Sequence, residues 1–235
     1  MKALRVAVAK GRLEEAILDV LDRMGMDCSA AIDKGRKLIL PVDHGRLELV
    51  LAKSPDIITY VEHGTCDMGI VGKDTIMEAA QSLYEVMDLG LGKCRMILAA
   101  PVDKDFYAGF GAKTVATKYP NIAGAFFAGK AMDVNIVRIE GSVELAPLLG
   151  LADGIVDIVE TGSTLRANGL EEKEHIARLS ARLVVNVAAM KIRKNEIESI
   201  ISRMRAVLDG SEGGLVGSEP GGEKGGVVGS EGGSQ

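Results

Sequence analysis

The 235-residue sequence predicts an α/β fold in two lobes with a cleft between them. Three observations carry that expectation. Short apolar runs alternate with stripes of helical period, the pattern of βαβ units. The alternation runs through two cycles, the second spanning about residues 92–177. The last 26 residues, 210–235, abandon it: 11 are Gly, and Gly-Ser-Glu-(Pro)-Gly-Gly recurs at 210, 217 and 229. Such a segment has little to bury and reads as a disordered Gly/Ser/Glu tail. The folded unit is therefore expected over 1–209, with lobe I formed by 1–91 plus 178–209 and lobe II by 92–177.

Leu4–Ala9 reads as a buried strand, followed by a helix with Leu13, Ile17, Val20, Leu21 and Met24 on one face. Leu38–Val42 and Leu47–Ala52, joined through Gly45, read as a hairpin. Pro55-Asp56 opens a helix that ends near His63-Gly64, and Met68–Val71 is a strand. Thr75-Ile-Met-Glu78 fits a capping box and predicts a helix start there. Strands then follow at Arg95–Ala100, Thr114–Thr117, Val134–Ile139 and Ile155–Val159. Helices are expected at Asn121–Ala131, around Val143–Leu149, and from Thr161. Arg178–Ala189 reads as one long strand, and the last helix aligns Ile197, Ile200, Ile201, Met204, Val207 and Leu208.

Composition narrows the function classes. Hydrophobic residues make up 47%, enough for a sizeable core. A formal charge of −5, no Trp, and four each of Tyr and Phe argue against a nucleic-acid binder, which needs a basic stripe and stacking rings. No apolar run approaches the ~18 residues of a membrane span, and the start lacks an export signal, so a cytoplasmic protein is expected. Cys28, Cys66 and Cys94 are odd in number and unpaired in spacing, and read as buried reduced thiols. His44, His63 and His175 are scattered, and no metal site is expected.

The most informative stretch is Ile155–Leu165. An apolar strand carries Asp157 and Glu160 near its carboxyl end, where ligands bind in parallel sheets. It then turns through Thr161-Gly162-Ser163-Thr164 into a helix. Free N–H groups and roughly half a positive charge at such a turn suit a phosphate monoester. The two carboxylates, one sugar-length away, suit ribose hydroxyls. The same residues also serve simply to turn and cap a helix. Lys10-Gly11-Arg12 follows the first strand at a second carboxyl end, and Arg36 and Lys53 are further cations beside strands. Converging, these four would bind a diphosphate; singly, each is ordinary solvated surface. Asp67–Asp74 is a strand–glycine-turn–helix that fits either a nucleotide contact or tight packing. Glu144, in Gly141–Pro147, is a first-turn acid that suits a helix start.

Taken in order, Val8–Leu13, Gly35–Leu38, Asp56–Gly64, Asp67–Asp74, Gly141–Pro147 and Asp153–Leu170 resemble the ATP phosphoribosyltransferases that open histidine biosynthesis, in their short form. The resemblance implies a two-lobed fold like the type II periplasmic binding proteins, with the site in the interlobe cleft. It implies attack by N1 of the adenine of ATP on C1 of 5-phosphoribosyl 1-diphosphate, with Mg2+ carried by the diphosphate substrate. It assigns the 5-phosphate to Thr161, Gly162, Ser163 and Thr164, and ribose hydroxyls to Asp157, with Glu160 beside it. Glu144 joins the substrate-binding set. Arg12 and Arg36, supported by Lys10, would hold diphosphate or ATP phosphates. Lys53 stands where many relatives carry arginine, keeping the charge and losing the fork. The resemblance further implies a homodimer of catalytic chains and a regulatory subunit resembling histidyl-tRNA synthetase in a hetero-oligomer. A solute-binding module on the same fold, or transfer to a different base, are the competing readings.

Overall fold

A computed structural model describes residues 2–33, 35–79, 83–109 and 111–212. The chain begins with β1 (Leu4–Ala9), α1 (Arg12–Arg23), α2 (Ser29–Ile32), β2 (Ile39–Val42), β3 (Leu47–Ala52) and α3 (Ser54–Glu62). It continues through β4 (Met68–Gly72), α4 (Lys73–Ala79) and β5 (Tyr84–Asp88). A second run holds β6 (Cys94–Pro101), β7 (Lys113–Thr117), α5 (Pro120–Gly129), β8 (Val134–Arg138), α6 (Leu145–Leu148), β9 (Gly154–Val159), α7 (Ser163–Ala167) and β10 (Leu170–Leu179). The chain closes with β11 (Ala181–Val185), α8 (Val187–Ile192) and α9 (Lys194–Glu212).

The strands form two sheets, ordered β2-β3-β1-β4-β11-β5 and β10-β6-β9-β7-β8. Parallel pairing holds the centre of the first sheet, where β1 lies between β3 and β4, and one end of the second, where β7 lies between β9 and the edge strand β8. Both sheets are mixed, because β2 pairs antiparallel with β3 as the expected hairpin, β11 with β4 and β5, and β6 with β9 and β10.

Each sheet is covered on both faces. In the first lobe Ile17, Val20 and Leu21 of α1 and Ile197 and Met204 of α9 are buried against Val6, Val8, Leu49 and Ile70, so both predicted stripes face the core. Ile57, Ile58 and Val61 of α3 fill the other face. In the second lobe Ile122, Ala123 and Phe127 of α5 pack on Met96, Leu98 and Val156. Val143, Ala146 and Leu165 pack on Ile97 and Ile155 from the opposite side. Cys28 and Cys66 are buried free thiols, while Cys94 is only half-buried.

Four expectations are corrected. The run Arg178–Ala189 is the end of β10, then β11, then the start of α8. Ser180 carries the chain from one sheet to the other, a break that continuous hydrophobicity conceals. Asn186 stops β11 and opens α8, its side chain accepting the Ala189 N–H at 2.9 Å. Most of β10 and all of β5 are unforeseen strands. β10 carries Glu171, Glu172, Lys173 and Glu174 and two register shifts, which erase the period of two. α4 starts at Lys73, directly after β4, rather than at Thr75. Gly210, Ser211 and Glu212 belong to α9; the rest of the expected tail, 213–235, lies outside the described residues.

The chain crosses between the sheets twice, at Leu89–Lys93 and at Ser180. The crossings are tied together: Leu89 N–H donates to the Ala181 carbonyl at 3.0 Å and Ala181 N–H to that of Leu91 at 2.8 Å. Asp88 Oδ1 accepts from Ser180 Oγ at 2.7 Å and from Gly90 N–H at 2.9 Å. These contacts and the Arg182 guanidinium hold the Asp88 carboxyl below the usual carboxylate range despite its partial burial.

Candidate active-site cleft

On the first wall, β1 delivers Lys10, whose N–H donates to the Ala52 carbonyl at 3.1 Å. Gly11 adopts φ 94°, ψ −139°, a conformation open in practice to glycine alone. That bend lets α1 start at once with Arg12 aimed at the other lobe. Glu14, only 4% exposed, reaches back to the Gly11 N–H at 3.4 Å.

The second wall is the carboxyl end of β9 and the turn after it. Gly162 has φ +76°, and a Cβ there would sit 3.0 Å from Arg166 Nη1. Thr161 Oγ1 lies 3.1 Å from Ser163 Oγ, and Arg166 Nη1 donates to the Thr161 carbonyl at 3.3 Å. The turn is thus shaped by its own contacts, and Thr161, Ser163 and Thr164 stay exposed. Arg95 Nη1 holds the Glu160 carbonyl at 3.1 Å.

The walls meet where Arg12 Nη1 approaches Glu160 Oε2 at 3.2 Å. With side chains 90% and 61% exposed, this ion pair contributes little to stability. Its importance is positional: it joins Arg12 to the residue directly before the turn Thr161–Thr164.

Two adjoining cavities occupy the cleft, and Lys10, Ser54 and Asp74 border both. The smaller, about 540 Å³, is bounded by Arg12, Cys94, Ile158, Glu160 and the two crossings. The larger, about 990 Å³, has Lys53 and Thr75 on one side and Lys118, Tyr119, Arg138 and Glu140 on the other. Tyr119 Oη donates to Asp74 Oδ2 at 3.4 Å, between the lobes. Burial raises the Tyr119 phenol, with Asp74 and Asp157 adding to the effect, so it stays protonated as a donor.

Asp157 sits deeper in lobe II. Burial pushes its carboxyl up to about 6; the Ile158 N–H opposes the rise, Glu144 reinforces it and Lys118 opposes it. Asp157, Glu144 and Lys118 therefore share one electrostatic neighbourhood at the carboxyl ends of β7 and β9. Burial likewise raises the Cys94 thiol, reinforced by Asp74 and Glu160 and opposed by Arg12.

The structure brings Lys10, Arg12, Lys53 and Glu160 to the two cavities, while Asp157, Glu144 and the turn Thr161–Thr164, which directly follows Glu160, border neither. Arg36 is also outside them. It lies in an exposed turn between α2 and the edge strand β2 and borders neither cavity, so three of the four expected cations converge. Sequence reasoning missed Lys118 and Arg138, the cations supplied by lobe II. The signal was present: Lys118 follows β7 as Lys10 follows β1, and Arg138 ends β8. Among the described residues no group of three His, Cys, Asp or Glu side chains gathers to hold a metal ion, and no helix is long and apolar enough to cross a membrane.

The profile of the ATP phosphoribosyltransferase family matches residues 53–206. An ATP phosphoribosyltransferase of Clostridium kluyveri is 52% identical over 208 residues, covering 88% of this chain and 95% of the relative. One from Listeria monocytogenes is 50% identical, covering 88% and 97%. Among solved structures, the ATP phosphoribosyl transferase (HisG:HisZ) complex from Thermotoga maritima superposes with a TM-score of 0.76 at 31% identity, over 88% of this chain and 99% of that one. The periplasmic aliphatic sulphonate binding protein SsuA of Escherichia coli superposes at 0.56 and 10% identity, covering 91% and 75%, a likeness of fold alone.

Proposed function

Because this chain belongs to the ATP phosphoribosyltransferase family, we propose that its interlobe cleft seats 5-phosphoribosyl 1-diphosphate and ATP together and joins ribose C1 to adenine N1 with loss of diphosphate. The protein is the catalytic subunit for this first step of histidine biosynthesis. The observation that supports the placement best is the contact of Arg12 with Glu160, which joins the first wall to the residue directly before the phosphate turn.

The roles follow from charge and reach. Backbone amides and hydroxyls of Thr161, Gly162, Ser163 and Thr164 receive the 5-phosphate. Asp157 accepts from ribose hydroxyls, with Glu144 behind it. Arg12 is exposed and weakly paired, so it leaves Glu160 for the diphosphate at small cost. Glu160 is thereby freed to face the ribose. Lys10 borders both cavities and sits where diphosphate and ATP phosphates meet. In the larger cavity Lys53, Lys118 and Arg138 take the triphosphate from two sides.

A ring nitrogen is already nucleophilic, so the protein's task is to orient two substrates and to stabilise the departing anion. Magnesium arrives as part of the diphosphate substrate. A cytoplasmic setting agrees with the free cysteines among the described residues. Pairing of catalytic chains, and association with a regulatory subunit like the second component of the Thermotoga maritima complex, belong to the same reading.

The test is direct. Purified chain with ATP, 5-phosphoribosyl 1-diphosphate and magnesium, with and without that second subunit, should release diphosphate and shift the adenine ultraviolet absorbance. Binding without turnover would favour a solute-binding module, and turnover only with another base would reassign the acceptor.

A further inference from the structure

Thr75-Ile-Met-Glu78 has the form of a capping box, yet Glu78 caps nothing in its own helix. α4 begins at Lys73, which puts Glu78 well past its first turn. Its partners lie in the other lobe: Glu78 Oε1 accepts the Asn121 N–H at 3.1 Å and Oε2 the Ile122 N–H at 3.0 Å. Asn121 Nδ2 returns a hydrogen bond to the Glu78 carbonyl at 2.8 Å.

α5 depends on this contact. It has no side-chain cap of its own. Pro120 offers no N–H, and Ala123 N–H donates to the Tyr119 carbonyl at 3.0 Å. That leaves the Asn121 and Ile122 amides, and Glu78 takes both. Lys118 and Tyr119 immediately precede α5, and Lys53 faces them across the larger cavity.

We propose that Glu78 is a positioning residue of the reaction: by capping α5 from the opposite lobe it fixes the spacing between the Lys53 and Lys118 walls of the larger cavity. This rests on the reading of that cavity as the ATP site. Without the latch the lobes separate more readily, and nucleotide binding must draw them back together. The apparent affinity then falls by the fraction of chains that are closed.

The experiment compares the full chain with Glu78→Ala and Glu78→Gln. Alanine is a strong helix former, so α4 is retained, and glutamine keeps one acceptor oxygen. Hydrogen exchange at Asn121 and Ile122 should accelerate roughly tenfold in Glu78→Ala, and small-angle scattering should show a larger radius of gyration. The KM for ATP should rise roughly tenfold with kcat changed far less, and Glu78→Gln should fall between. Unchanged exchange in Glu78→Ala would overturn the latch. Faster exchange with unchanged KM for ATP would reduce it to a helix cap without influence on the site. Absence of turnover in the wild-type chain, with the second subunit present as well as without it, would instead strike the proposed reaction, while exchange, scattering and calorimetric ATP affinity would still judge Glu78.

Discussion

Arg12 Nη1 stands 3.2 Å from Glu160 Oε2, so the first residue of α1 in one lobe touches the residue that follows β9 in the other. On the proposed reading, the Arg12 guanidinium exchanges this carboxylate for a diphosphate. Replacing it with alanine should lower kcat by about 10²–10³-fold, the range for losing one donor to a developing anion. The KM for 5-phosphoribosyl 1-diphosphate should move much less, and the melting temperature should hardly change. Equal losses in kcat and in donor affinity would reassign Arg12 to ground-state binding.

Gly162 is held at φ +76° with Arg166 Nη1 3.0 Å from where a Cβ would stand. Gly162→Val should strain the turn by about 1–2 kcal/mol and withdraw its amides from the phosphate. Calorimetric titration should show loss of 5-phosphoribosyl 1-diphosphate binding, with ATP binding retained.

Asp157 carries a pH signature. Its carboxyl is raised to about 6, so the folded chain retains a proton that the unfolded chain has already released. Stability contributed by the neutral form is present at low pH and is lost as pH climbs from about 4 to about 6. Asp157→Asn should therefore be more stable than wild type at pH 8, by about 3 kcal/mol, with the gap closing as pH falls from about 6 to about 4. Urea melts across that range check the sign. Turnover should fall in the same variant, since the amide donates where the ribose hydroxyl needs an acceptor.

Arg138 ends β8 on the lobe II side of the larger cavity and, among the described residues, is bound to Glu140 two residues on. Arg138→Ala should raise the KM for ATP roughly tenfold and leave that for 5-phosphoribosyl 1-diphosphate unchanged. A parallel rise in both would move the triphosphate elsewhere.

Truncation after Glu212 should leave kcat and both KM values unaltered. The removed residues are Gly-rich and almost devoid of bulky apolar side chains.

How much was legible follows from what each residue answers to. α1 and α9 were readable because burial of one face against a sheet imposes a period near 3.6, and Ile17, Val20, Ile197 and Met204 obey it. The cleft residues Lys10, Arg12 and Glu160 were readable because they directly follow apolar strands. β10 was not: it lies at a sheet edge, and its glutamates and lysine answer to solvent and to ion pairs such as Arg95 with Glu172. The crossing at Ser180 was hidden because strands on both sides of it are apolar. Glu78 was misread for a different reason. Its motif satisfies a local rule, but its partners lie 43 and 44 residues away, and no local pattern encodes them.

The order of strands in the first sheet also governs how the polypeptide matures. β11 lies between β4 and β5 and, among the described residues, is β5's sole partner in that sheet. Tyr84–Asp88 must therefore wait, edge uncovered, until the ribosome has delivered residues 181–185. The intervening stretch, 94–179, is contiguous and holds a complete sheet, so it is free to fold first during translation. An arrest in synthesis near residue 180 would leave one finished lobe beside a half-built one, and that nascent intermediate is the form most exposed to chaperones and to aggregation.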